Sequence, residues 1–148
     1  MAEAKKSVKI SFVILLIMLL LALVYGLITV FAPEFIVARS FEGFTGKPWY
    51  IYDAVVGVGG YIITLERMAG GLGLALTLGA LIVLFTAYRK VEKWAWYYML
   101  VVGVIGWVNN LIANIAFKNT VTTTIIIIGL ILIIIGLLIP VKDFFSKK

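Results

Sequence analysis

The sequence predicts an all-α integral membrane protein: a bundle of four transmembrane helices with an aromatic-rich outer segment between the first two. Three observations lead there. Hydrophobic residues make up 64% of the 148-residue chain and charged residues only 14%, against roughly 45–50% and about 25% in a soluble domain. Mean hydropathy is +1.15, a surplus of apolar surface that needs lipid. Four apolar runs also reach the about 20 helical residues that a hydrocarbon core requires.

The first span runs from Ile10 to Ala32 without a charge, behind Lys5, Lys6 and Lys9. A signal peptide has the same basic lead, but its apolar core is only about 7–15 residues, and no small-x-small cleavage site follows here. A retained helix is therefore expected. The second span, Met68 to Tyr88, is closed by Arg89 and Lys90. The third runs from about Trp94 to Phe117, and Trp94, Trp96, Tyr97 and Tyr98 mark its start with rings that favour the headgroup level. The fourth, Val121 to Pro140, holds two nearly unbroken isoleucine stretches, with Thr122, Thr123 and Thr124 at its head and Lys142 beyond its exit. Residues 1–148 thus form a single membrane domain.

Orientation follows from the thirteen basic residues. Lys5, Lys6, Lys9, Arg89, Lys90, Lys93, Lys142, Lys147 and Lys148 fall on one side, leaving Arg39, Lys47, Arg67 and Lys118 on the other. Positive charge marks the cytoplasmic side, so both termini are expected there, in a multi-pass protein of the cell membrane. The net charge of +6 and pI near 9.6 are this flanking charge and point to no nucleic-acid partner.

The outer segment, 33–67, carries Glu34, Glu42, Asp53 and Glu66 among Phe35, Phe41, Phe44, Trp49, Tyr50, Tyr52 and Tyr61. Such aromatic density predicts a segment lying on the interface or capping the bundle. Residues 54–65 are apolar but too few to cross. Joined to the second span they would make a helix roughly 50 Å long at 1.5 Å per residue, so a break is expected at Gly57, Gly59 and Gly60 or at Glu66-Arg67. The glycine run lacks the GxGxxG spacing of a nucleotide loop.

Small and polar residues inside the spans suggest where helices meet. Gly71, Ala75 and Gly79 lie four apart, a spacing that lets another helix approach closely, either within the chain or from a partner. Thr122, Gly129 and Gly136 repeat the idea more sparsely on the fourth span. Gly103, Gly106, Asn110 and Asn114 fall on one face of the third, with Asn109 beside it. Amides in hydrocarbon must find partners. They are expected either to bond between helices or, with Glu66 and Arg67, to form a binding pocket in the outward half of the bundle. Glu66-Arg67 otherwise reads as an interfacial charge pair.

Cysteine and histidine are absent, which excludes thiolate chemistry and His-ligated metals in this chain. No paired acid–base motif is visible, and no metal or other cofactor is expected. The four-span layout with a large first outer loop resembles that of claudins, whose outer-loop cysteine motif this chain lacks, and shared topology implies no shared activity. The expected function is a non-catalytic structural or accessory subunit of a membrane complex, or a self-associating scaffold. Its partners would be membrane lipid and either further copies or other membrane subunits. The alternative is a small oligomeric transporter or channel.

Overall fold

The computed structural model describes residues 6–118 and 120–146, and every regular element among them is helical. The helices are α1 (Lys6–Phe31), α2 (Pro33–Thr45), α3 (Tyr50–Asp53), α4 (Val58–Tyr88), α5 (Lys93–Ala116), α6 (Thr120–Leu138) and α7 (Val141–Phe145). Three of them, α1, α4 and α5, are long and apolar enough to cross a membrane. The 19 residues of α6 extend about 28 Å at 1.5 Å per residue. Lys5, Lys147 and Lys148, which enter the charge asymmetry, lie outside the described residues.

Local chemistry sets the boundaries. Pro33 has no N–H to give to α1, so the chain breaks at Ala32 and restarts with Pro33 in the first turn of α2. Gly46 ends α2 at φ 70°, its N–H returning to the Glu42 carbonyl; a Cβ would oppose this left-handed conformation. Gly57, at φ 81°, performs the same turn before α4. Of the two breaks the sequence offers, the chain uses the glycine. Glu66-Arg67 passes inside an unbroken helix, which begins at Val58 rather than Met68. The 31 residues of α4 extend about 46 Å, longer than the roughly 30 Å of a hydrocarbon core.

Adjacent long helices run antiparallel. Ser11 of α1 meets Tyr88 of α4, and Thr29 meets Gly70, where a Cβ would lie 2.7 Å from Thr29 Cγ2. On the other flank of α1, Met18 reaches Gly129 of α6, while Ile14 and Leu15 reach Gly136. Along α5 and α6, Trp96 pairs with Leu137, Gly103 with Ile133 and Trp107 with Gly129. Both described ends of the chain meet, with the Ser7 hydroxyl donating to Asp143. The core of Leu15, Met18, Leu84, Tyr88, Met99 and Leu137 gathers in the half of the molecule nearest Phe144. Elsewhere the long helices expose aliphatic side chains such as Leu21, Leu72, Ile112 and Ile131.

The stripe by which α4 packs is Gly70, Thr77, Ala80 and Leu84, centred nearly half a turn around the helix from the Gly71/Ala75/Gly79 face. On α5, a π-turn at Val101–Ile105 inserts one residue between two buried patches. Ala95 and Met99 face inward before it, and Trp107 and Asn114 after it. A regular helix from Met99 would have turned Gly106 and Asn110 inward; the inserted residue turns them out.

Candidate functional site

The best-built polar arrangement lies where α1, α4, α5 and α6 converge at the α7 end, and it originates in Pro140. In an α-helix the carbonyl of residue 136 accepts from the N–H of residue 140, and proline has none. The Ser11 hydroxyl supplies that donor, bonding the Gly136 carbonyl at 2.5 Å. Ser11 oxygen lies 2.6 Å from the Tyr88 hydroxyl. Since the serine proton is committed to Gly136, the tyrosine donates, giving a directed relay Tyr88 to Ser11 to Gly136. One residue further, Trp96 Nε1 of α5 donates to the Leu137 carbonyl at 2.9 Å.

Aromatic packing closes this end. Tyr88 is fully buried and lies against Phe144, ring centroids 4.8 Å apart. Phe145 meets Trp96 edge-on at 5.2 Å, and the Arg89 guanidinium sits 5.6 Å from the Phe12 ring centre, within cation–π range. Ser11 has no base beside it, because its neighbour Tyr88 gives it a proton rather than taking one. The relay is chemically a helix tie, not an activated nucleophile.

The residues picked out by sequence fall into separate environments. Arg67 Nε donates to the Val30 carbonyl of α1 at 3.1 Å, and Glu66 beside it is half-buried. Among the described residues no ion pair joins Glu66 to Arg67; the Arg67 Nε–H is held by the end of α1 instead. Asn114 is 9% exposed and donates back to the Asn110 carbonyl at 2.9 Å. It lines a shallow depression of about 270 Å³ with Ile115, Lys118, Thr120, Thr123 and Thr124. Glu66 and Arg67 therefore lie against α1, and Asn114 against the head of α6. Asn110 is exposed and donates to its own helix, at Gly106, over 3.0 Å. Asn109 is exposed and has no hydrogen-bond partner among the described residues.

The small residues divide similarly. Gly79 meets the Tyr98 hydroxyl at 3.0 Å and Gly103 meets Ile133 at 3.2 Å, both measured from a would-be Cβ. Gly71 and Gly106 face open space, and Ala75 is exposed. In the segment 33–67, Phe41 meets Trp49 edge-on at 5.2 Å and Tyr52 in a tilted contact at 4.5 Å. There α2 reaches the far end of α5, with Gly43 against the Phe117 carbonyl, so this part straps helix ends together.

Sequence reading passed over Ser11, Trp96 as a donor, and the Gly136/Pro140 pair. The signal was present: a proline four residues after a glycine leaves a carbonyl that some other helix must satisfy. Among the described residues no group of three or more Asp, Glu, His or Cys side chains could hold a metal ion. No protein-family model matches the chain, nor does any curated protein or solved structure, so a functional reading has to be built from these residues.

Proposed function

We propose that this chain is a small non-catalytic membrane protein that crosses the bilayer four times and serves as a self-associating scaffold or an accessory subunit of a larger membrane complex. The observation that carries this reading is the outward turn of packing surface. Among the described residues Gly71 and Gly106 face open space and Ala75 is exposed, so all three leave room for another helix to approach closely. Between helices in lipid, where hydrophobicity gives no drive, such surfaces are what association uses.

The fourth crossing is supported by α6 lying antiparallel to α1 and α5 along its length, from Gly129 to Leu137, so that it shares their depth. The polar groups near Tyr88 are consumed in tying helices, which favours a structural role over chemistry. With basic residues weighted to the end holding Lys6, Lys9 and 89–93, that end is assigned to the cytoplasm.

Extraction from native membranes in a mild detergent tests the reading. The protein is expected to run as an assembly larger than its 16.3 kDa chain. Ala75→Leu is expected to weaken that assembly by overpacking while leaving the chain's own melting temperature unchanged. A wild-type protein that is monomeric and copurifies with nothing would rule the proposal out.

A further inference from the structure

We infer that the Gly106/Asn109/Asn110 face of α5 is the seam of a symmetric homodimer, the partner being a second copy of this chain. The inference rests on the membrane-spanning reading above and gives the association a location. Its starting point is Asn109. The 24 residues of α5 have their midpoint between Val104 and Ile105, which places Asn109 about 6–7 Å from mid-membrane at 1.5 Å per residue. At that depth no water is available, and an amide with no partner is costly. Asn110 adds to the demand: its Nδ2 bond to Gly106 leaves its side-chain oxygen Oδ1 and its second amide N–H without a partner among the described residues.

Three features identify the occupant. A primary amide carries both donor and acceptor, so the group that complements it best is another amide of the same kind. A two-fold axis beside α5 supplies that group automatically, because a symmetric interface sets the same patch on both subunits. Gly106, one turn before Asn110, has open space where a Cβ would stand, so two copies of α5 can come close enough for side chains as short as Asn to meet. The rest of the face is Ile105 and Ile112, which would flank the amides with apolar contact. The π-turn at Val101–Ile105 is what aims this face outward.

The chain has no cysteine, so single cysteines report contacts without background. Ile105→Cys and Ile112→Cys, one turn to either side of Asn109, are expected to form chain-to-chain disulfides on mild oxidation in native membranes. Leu21→Cys on α1 and Ile125→Cys on α6, both comparably exposed, should not. Asn109→Leu is expected to weaken dimerisation about tenfold in detergent by sedimentation equilibrium, since each loss removes the amide from both subunits. Its melting temperature as a monomer should be unchanged, because Asn109 has no hydrogen-bond partner among the described residues. Absent cross-links at 105 and 112, equal cross-links at 21 or 125, or an Asn109→Leu dimer of undiminished affinity would each overturn the seam. Capture of a different protein at 105 overturns it too, while leaving the accessory-subunit reading standing; a monomer with no copurifying protein overturns both.

Discussion

The dependence of α6 on Ser11 can be measured by giving Gly136 back the donor it lacks. Ser11→Ala strips two groups at once: the Gly136 carbonyl loses its donor and the Tyr88 hydroxyl its acceptor. Hydrogen bonds between helices in a membrane protein contribute about 0.6–1.7 kcal/mol each, so the substitution is expected to cost about 1–3 kcal/mol. Pro140→Ala restores an N–H four residues after Gly136 and lets α6 continue into α7. It has its own cost, because the buried proline ring leaves a void. Combined with Ser11→Ala, however, the carbonyl is already satisfied, and only the Tyr88 share remains to be lost. The two substitutions should therefore be non-additive by about 1 kcal/mol, the pair being more stable than the sum of the singles. Reversible unfolding in mixed micelles, followed by tryptophan fluorescence, reads all four proteins of this cycle. Additivity within about 0.3–0.5 kcal/mol would show that proline does not create the demand that serine meets.

Two further perturbations probe other contacts. Gly70→Ala places a methyl 2.7–2.8 Å from the Thr29 side chain and 3.2 Å from its backbone, where α1 cannot easily withdraw; a loss of about 1–3 kcal/mol is expected in the same unfolding assay, and wild-type stability would show that the α1–α4 contact is looser than described. For orientation, single cysteines at positions 45 and 91 are expected to react with an impermeant reagent from outside and from inside the cell respectively, and the reverse pattern would invert the proposed topology.

How much of this was legible depended on whether the signal was local. All four runs were legible as helices, and three of them are long and apolar enough to cross a membrane, because length and hydropathy are properties of the run itself; α1, α5 and α6 begin and end within a few residues of the expected limits. The Gly57 break was legible as one of two options, and only the packing of Arg67 against Val30 shows why Glu66-Arg67 needs no break. Helix faces were less legible. A regular 3.6-residue period puts Gly103, Gly106, Asn110 and Asn114 together, but successive steps of four drift by about 40° each. The π-turn adds a further rotation that no sequence period encodes. Asn114 consequently turns toward α6, while Gly106 and Asn110 do not. On α4 the choice between Gly70 and Gly71 as the packed residue was set by Thr29 on another helix, which sequence spacing cannot supply. The Ser11–Tyr88 relay was hidden for the same reason: its members lie 77 positions apart.

The tie between Ser11 and Gly136 has a consequence for the order in which the molecule comes together. These residues are 125 positions apart, so the carbonyl at the end of the last long helix waits for a hydroxyl near the start of the first. During synthesis α1 is present long before its counterpart, and its serine has no such duty until α6 emerges. Conversely, α6 arrives with an exit turn that it cannot finish alone. This tie thus forms only when α1 and α6 have found each other, and a chain truncated before residue 136 would lack the acceptor for that handshake even if its remaining helices were correctly inserted.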